Sequence, residues 1–372
     1  MENLKISRLQ VKNFRNLYPE VVEFGPGINC IMGRNGNGKT NILEAIYLLS
    51  TKKSFRKKTG FPQMLSIDGE KPEIIISSVF KDSDNNLVPL SAKLENKSSS
   101  WFFNGKVIKR RPPIKVVFIN PFDSYNFHHS GTSRRYFFDT HIGQLDESYR
   151  SLMARYNNFL RQRNTLLSKK PAKYREQIEA IDINMARYNF EITVKRLEFI
   201  KNLNPHLVKI FKDLFSLDHS LEITLESKLA GLSQDQIYDT MRSNVAKDER
   251  LGHSTLGIHR DDYIIFFDGI NSLDYCSLGQ QKITYLSLLF AYIDLFRYKF
   301  KTYPIVLIDD VSGELDELRW KRLVSYLKRG NFQVLITTAN DNFKQELEKI
   351  EDSYEITVRG GLIVNENLRS NV

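Results

Sequence analysis

An apolar run, Ile28-Asn29-Cys30-Ile31-Met32, passes without a break into Gly33-Arg34-Asn35-Gly36-Asn37-Gly38-Lys39-Thr40, and this junction constrains the fold more than any other stretch of the chain. The octapeptide has the form G-x-x-x-x-G-K-[S/T]. Ile42, Leu43, Ala45, Ile46 and Leu49 then recur at helical spacing, which predicts strand, glycine loop and helix in that order. A phosphate cradle needs that order: glycines let backbone N–H groups close around oxyanions, and the helix N-terminus adds its positive end. In such a loop Lys39 reaches the β and γ phosphates and the Thr40 hydroxyl holds Mg2+. Gly33, Arg34, Asn35, Gly36, Asn37, Gly38, Lys39 and Thr40 are thus the expected nucleotide-binding residues.

An ion held this way needs a carboxylate at the end of a neighbouring apolar strand. Ile305-Val306-Leu307-Ile308-Asp309-Asp310 supplies one. Asp309 is the expected carboxylate at Mg2+, and Asp310 is placed to take a proton from an attacking water. A plain strand ending in an acidic turn is the competing reading. Ser312-Gly313-Glu314-Leu315-Asp316 follows at once. Upstream, Ser277-Leu278-Gly279-Gln280-Gln281-Lys282 precedes a helix predicted to start near Ile283. A serine, a glycine and a helix N-terminus suit a γ-phosphate, so Ser277, Gly279 and Gln280 join the candidates. S-x-G-Q alone is a weak pattern; its place in the order glycine loop, S-x-G-Q, strand-Asp-Asp, S-x-E-L-D is far more specific.

The remaining texture is two α/β halves around a helical stretch. Strands are predicted over residues 4–11, 21–24, 74–80, 87–94 and 101–108, the last turned by Asn104-Gly105. From Leu145 the period changes to threes and fours through Leu166, breaks at Lys169-Lys170-Pro171, and resumes from Ile178 to Phe199 before Pro205. That predicts a helical hairpin whose second helix reaches about 45 Å, either a projecting arm or two helices of an ordinary lobe. Strands over 221–225, 263–267, 305–308 and 334–338, a helix over 283–296 and a closing hairpin over 355–358 and 362–364 complete the pattern. Residues 1–135 and 250–372 are expected as two halves of one head, with 136–249 inserted as a helical lobe.

The 372 residues suffice for such a head and insertion. Lys plus Arg number 54 against 44 Asp plus Glu, a formal charge of +10 that attracts polyanions or simply keeps the chain soluble. No apolar stretch nears the length of a membrane span and the first residues lack a signal-peptide core, so a cytoplasmic protein with no membrane partner is expected. Cys30 and Cys276 form no C-x-x-C pair and read as packing residues.

The ordered motifs resemble the ABC-type ATPase head. That resemblance implies an α/β fold with an antiparallel β subdomain and an inserted helical lobe, ATP as the nucleotide, and an ATP-dependent homodimer. In that dimer the signature loop of one copy covers the nucleotide of the other. Catalysis would then rest on Asp310, Lys39 and, in trans, Ser277, and Asp316 joins the nucleotide-binding set. Within the class the chain is similar to the RecF family, bacterial recombination-repair relatives of the SMC proteins, over nearly its whole length. The resemblance is carried by Asn13-Phe14-Arg15-Asn16, Lys53-Ser54-Phe55-Arg56, Asn104-Gly105-Lys106, Ser133-Arg134-Arg135 with Phe138-Asp139, Gln162-Arg163-Asn164 with Leu166-Leu167, and Gly257-Ile258-His259-Arg260-Asp261-Asp262. Ile258 departs from the family's usual proline, and Asn120-Pro121-Phe122-Asp123 from its Pro-Glu-Asp-Leu. Thr337-Thr338 stands where transporters carry a switch histidine, which points to a slow, regulated ATPase. The family implies DNA, double-stranded or gapped and bound without sequence preference, with RecR and RecO as partners in recombinase loading.

Three basic runs are candidates for DNA: Lys52, Lys53, Arg56, Lys57 and Lys58 around Phe55; Lys106, Lys109, Arg110 and Arg111; and Arg161, Arg163, Lys169, Lys170, Lys173 and Arg175, with no acid among residues 161–175. Each alone is equally a solvated face. His259 is a tempting catalytic histidine, but an ion-pair network with Arg260, Asp261 and Asp262 is the preferred reading. Rival functions are a transporter's nucleotide-binding subunit, an SMC-like tether, and a RecF-like antiviral ATPase acting with a nuclease. The insertion, the basic runs and the missing switch histidine oppose the first, and the short helices oppose the second.

Overall fold

The computed structural model describes residues 4–56, 58–67, 72–215, 218–310, 317–330, 332–339 and 353–364. The chain begins with β1 (Lys5–Lys12), β2 (Val21–Glu23) and β3 (Ile28–Met32), passes into α1 (Lys39–Thr51), and continues through α2 (Phe61–Met64), β4 (Glu73–Lys81), β5 (Leu87–Glu95), β6 (Ser99–Phe103), β7 (Lys106–Val107) and β8 (Val116–Ile119). Then come α3 (Asp123–His129), α4 (Gly131–Leu145), α5 (Glu147–Lys169), α6 (Tyr174–Leu214), β9 (Leu221–Glu226), α7 (Gln234–Ser243) and α8 (Val245–Leu251). They are followed by β10 (Asp262–Phe267), β11 (Ile270–Asn271), α9 (Ser272–Tyr275) and α10 (Leu278–Phe300). The last elements are β12 (Ile305–Asp309), α11 (Glu317–Arg329), β13 (Val334–Thr338), β14 (Tyr354–Arg359) and β15 (Leu362–Val364). Two compact units result, residues 1–121 with 296–372, and residues 122–295. These bounds differ from the expected 135/136 and 249/250 because β10 pairs with β9 and packs on α4, while α6 packs on β9. Residues 122–135 and 250–295 therefore consolidate with the helices.

The first unit holds two sheets. One has the order β15-β14-β3-β13-β12-β8, parallel except for the antiparallel edge strand β15. Every residue of β3 and β13 is buried, as the continuous apolar runs of a doubly covered parallel sheet require. The exception in β3, Asn29, is satisfied locally: its amide donates to the Gly25 and Gly27 carbonyls and its oxygen accepts from Gly25 N. The other sheet is antiparallel, β2-β1-β4-β5-β6-β7, and β4 and β5 bury alternate residues. Asn104 and Gly105 both take positive φ, 49° and 73°, as the two-residue turn between β6 and β7 demands. Gln333 ties the two sheets together, donating 2.7 Å bonds to the Ile6 and Gly25 carbonyls and accepting from Ile6 N at 2.8 Å.

The second unit is built on α5 and α6 with a small sheet, β11-β10-β9. Helix α6 runs straight through Pro205 for 41 residues, about 60 Å, longer than the spacing predicts. Proline removes one donor, but Leu203, Leu207, Ile210, Phe211 and Leu214 stay on the buried face. Asn204 also exchanges two hydrogen bonds, 2.9 and 3.0 Å, with the backbone of Ile223 in β9, which holds the helix past the proline. Among the described residues no helix is long and apolar enough to cross a membrane. Cys30 is buried and Cys276 half-buried, both as free thiols.

Two arginines lie at the centre of this unit, each only 1% exposed. Arg163 on α5 meets Asp182 of α6 and Asp248 of α8, both at 2.6 Å, and donates to Ser254 Oγ at 2.8 Å. Arg196 on α6 meets Asp139 and Asp261 at 2.8 and 2.7 Å and donates to the Tyr149 hydroxyl and the Ile258 carbonyl. Removing one cation leaves two carboxylates buried without it, which costs about 3–5 kcal/mol. Arg163→Met is accordingly expected to lower stability by that order in chemical denaturation; a loss below about 1 kcal/mol would show that the pair is not a structural keystone.

Candidate nucleotide site

The loop after β3 closes tightly on its surroundings. Gly33 and Gly38 sit at φ 152° and 102°. A Cβ on Gly33 would lie 2.3 Å from the Val358 carbonyl oxygen, and one on Gly38 2.8 Å from Asn16 Oδ1, so only glycine fits. Lys39 arches back over the loop and donates to the Gly33 and Arg34 carbonyls at 2.6 and 3.1 Å. Burial lowers its pKa, and the charges of Asp310 and Asp309 pull the other way. Arg34, Asn35 and Gly36 form the exposed tip, and Asn37 is anchored by a 3.0 Å bond from its amide to the Val358 carbonyl.

Sheet order brings the predicted carboxylates to this loop. β13 lies between β3 and β12, with Thr337 paired to Ile31 on one side and Asp309 on the other. Asp309 Oδ1 accepts from Thr40 Oγ1 at 2.8 Å and from Thr337 Oγ1 at 2.7 Å. The Thr337 oxygen in turn accepts from Asp310 N at 3.1 Å, where Asp310 turns the chain at φ 44°. Hydroxyl and carboxylate oxygens are the hard donors Mg2+ takes, and the lysine and loop N–H groups suit phosphates. Thr40 and Asp309 fit the ion; the glycine loop and Lys39 fit a nucleotide's phosphates.

A support outside the loop has no role in a reading of the motifs alone. Glu44 of α1 is fully buried and takes Arg15 through two bonds of 3.0 and 2.8 Å, Arg56 at 3.2 Å, and Ser54 Oγ at 2.6 Å. Arg56 continues to Asn41, Asn41 to Asn16 Oδ1, and Asn16 Nδ2 to the Gly36 carbonyl, each at 2.6–2.9 Å. The visible signal was a lone acid on the apolar face of α1, flanked in sequence by two Arg-bearing motifs. Thr337 was likewise marked only by its place where transporters carry histidine.

The signature segment starts its helix earlier than expected. α10 begins at Leu278, not near Ile283, so Gly279 and Gln280 lie in its first turn. The cause is a capping box: Gln280 N donates to Ser277 Oγ at 3.3 Å and Ser277 N to Gln280 Oε1 at 2.9 Å. Ser277, Leu278 and Gly279 are exposed. Asp316, with Ser312 to Leu315, lies outside the described residues.

Several cations of the basic runs have partners within the protein. Lys52 donates to the Ile108 and Lys109 carbonyls and sits 4.9 Å over the Trp101 ring. Arg56 is held by Glu44, Arg163 is buried, and Arg175 pairs with Glu249 at 2.7 Å. Phe55 stacks on Phe118 with centroids 3.8 Å apart, so it is a packing residue. Lys57 lies outside the described residues. His259 is structural in its surroundings: a carbonyl only accepts, so Nε2 donates to Ser254 O at 3.1 Å, which leaves Nδ1 to accept from the Tyr156 hydroxyl at 2.7 Å. Its neighbours Asp261 and Asp262 pair with Arg196 and Arg134.

A glycine loop on a parallel sheet, with its acidic strand two places away and an antiparallel sheet beside it, defines an ABC-type P-loop ATPase head. The family model for the RecF/RecN/SMC N terminal domain matches residues 5–361. "DNA replication and repair protein RecF" of Clostridium novyi is 31% identical over 337 residues, 89% of this chain and 92% of that one. Its counterpart in Halalkalibacterium halodurans is 32% identical over 350 residues, 91% and 93% of the two chains. A solved structure of the recombination mediator RecF with ATP covers 98% of both chains at a TM-score of 0.87 and 24% identity. The Smc head domain of Pyrococcus furiosus superposes at 0.57 with 18% identity, covering 98% of this chain and 97% of that one. The chain belongs to the RecF family of DNA replication and repair proteins.

The protonation of His259 is open to direct test. Burial lowers its pKa from 6.5 to about 4, so the unfolded chain binds the proton more readily. Stability is full above pH 6.5 and falls as pH drops from 6.5 toward 4. In chemical denaturation between pH 7 and 5, His259→Gln should flatten this slope by up to about 1.4 kcal/mol per pH unit. An unchanged slope would mean that the imidazole takes up its proton as readily in the fold as in the unfolded chain.

Proposed function

We propose that the protein is an ATP-dependent DNA-binding protein of the RecF type, working in the cytoplasm. ATP joins two copies, and the closed pair clamps double-stranded DNA near single-strand gaps. Slow hydrolysis, stimulated by DNA, reopens it, and with RecR and RecO the cycle supports recombinase loading. The single observation that carries this reading is the Asp309 carboxylate oxygen shared by Thr40 and Thr337, with Lys39 held over the glycine loop. These side chains have the chemistry that Mg2+ and phosphate take, and Lys39 would exchange its two carbonyl partners for phosphate oxygens on binding. When bound, Mg2+ would neutralise charge on the phosphates.

Within the proposal Lys39 and the backbone of residues 33–40 hold the phosphates, Thr40 and Asp309 hold the ion, and Asp310 takes the proton of the attacking water. Ser277, Gly279 and Gln280 of the second copy cover the nucleotide, and Asp316 lies beside it. Ser277 is suited to that task, because it caps α10 through an oxygen lone pair and keeps its hydroxyl proton for a phosphate oxygen. Its exposure suits contact with another copy. The naming of relatives about 30% identical as DNA replication and repair proteins supports DNA as the polyanion.

Sedimentation velocity tests the trans arrangement. The wild type should dimerise with ATP and Mg2+ but not ADP, while Ser277→Arg binds ATP and stays monomeric. A wild type that remains monomeric with ATP, or a Ser277→Arg variant that dimerises normally, sinks it. Thr337→Val keeps the shape of the side chain but deletes the hydroxyl that orients Asp309. It should weaken Mg2+-dependent ATP binding by about tenfold in titration calorimetry; equal affinity with and without the substitution would remove Thr337 from the site.

A further inference from the structure

We infer that the solvent face of α5, with the turn that follows it, is the principal nucleic-acid backbone site of the helical unit. The inference rests on the DNA-binding reading above and says where on the chain the contact is made. From Ser148 to Arg175 the sequence holds eight Arg and Lys and no Asp or Glu. The structure sorts these cations. Arg163 is buried, Arg175 pairs with Glu249, and Arg150 donates to the Gly143 carbonyl. Arg155, Arg161, Lys169, Lys170 and Lys173 are exposed, and none makes an ion pair among the described residues; Arg161 donates at 3.3 Å to the Asn157 carbonyl one turn back on the same helix. Arg155 to Lys169 covers about 21 Å of helix, roughly six phosphate repeats along one strand.

An open groove of about 510 Å³ runs between α5 and α6 on this side. Its polar lining is Asn158, Arg161, Gln162, Thr165 and Gln177, with no carboxylate. Neutral donors interleaved with cations are what a sugar-phosphate backbone takes without regard to sequence. The groove on the other side of α6 differs: Glu179, Asp182 and Glu249 line it together with Arg175 and Arg242. α6 itself mixes signs, with Glu191 facing Arg187 at 3.7 Å. An ordinary solvated helix looks like α6, and α5 does not. In the turn, Lys170 and Lys173 adopt left-handed backbone at φ 44° and 58°, a conformation glycine or asparagine takes with less strain. In unit 1 two of the competing cations, Lys52 and Arg56, are committed to internal partners.

The test is the salt dependence of gapped-duplex binding with ATP, read by fluorescence anisotropy. It compares the wild type, Arg155→Gln/Arg161→Gln/Lys169→Gln/Lys173→Gln, and Lys106→Gln/Lys109→Gln/Arg110→Gln. The quadruple variant should lose about three to four units of the log–log salt slope. Its affinity loss between 50 and 200 mM salt should therefore shrink on the order of a hundredfold. Asn158→Glu/Thr165→Glu, which places carboxylates in the groove, should also lose affinity, and thermal melts check that each variant is folded. A quadruple variant with the wild-type slope, or a loss confined to the triple variant, overturns the assignment and leaves the DNA reading standing. A wild type that binds no DNA in any nucleotide state, or that binds phosphatidylserine vesicles in its place, overturns both.

Discussion

One carboxylate oxygen organises the first unit. Asp309 Oδ1 accepts the hydroxyls of Thr40 and Thr337, and each comes from a different element: the helix after the glycine loop, and the strand between that loop and the acidic strand. The two bonds form only if β3, β13 and β12 are adjacent and in register. A slip of one residue would turn Thr337 to the other face of the sheet and leave the oxygen half-satisfied. The buried apolar runs of β3, β12 and β13 hold that register. Gln333 and Asn29 meet the polar needs of the strand ends, so the hydrophobic sheet and the polar site are one construction.

The glycine loop is supported in the same way from its outer side. β14 pairs with β3, the Val358 carbonyl sits against Gly33, and Gly361 N donates to the Asn37 carbonyl. Asn16, Asn41, Arg56 and Glu44 brace the opposite edge. These contacts use side chains that need not touch a phosphate. Their consequence is positional: the shape of the loop is held by contacts within the protein, which lowers the cost of ordering a site built on it.

The second unit uses buried charge where the first uses a parallel sheet. Arg163 and Arg196 each join several segments through paired carboxylates, and Arg196 accounts for the motif residues Asp139 and Asp261, while Asn164 holds Ser254, a partner of Arg163. A guanidinium donates in several fixed directions at once, so it can set the orientation of helices that apolar packing would leave free to slide. The same commitment removes cations from the surface. Arg163 reads as part of a basic run, yet it is among the most buried side chains in the protein.

The glycine loop, the acidic strand, the Asn104-Gly105 hairpin and most of the strands were legible in sequence because each depends on local backbone geometry or on a run of consecutive residues; the order of the strands within the sheets and β8, which pairs with β12, were not. The helix boundary at Pro205 and the start of α10 were not, since bonds from β9 and a capping box overrode the local signals. Sequence alone therefore determined that a glycine loop and an acidic strand are present and where they lie along the chain. Tertiary structure alone decided which cations face solvent, that Thr337 shares Asp309 with Thr40, and that Asn16 rather than Arg15 reaches the loop. Charge and side-chain type are properties of a residue, whereas partner and exposure are set by elements far apart in the chain, and only the fold brings those together.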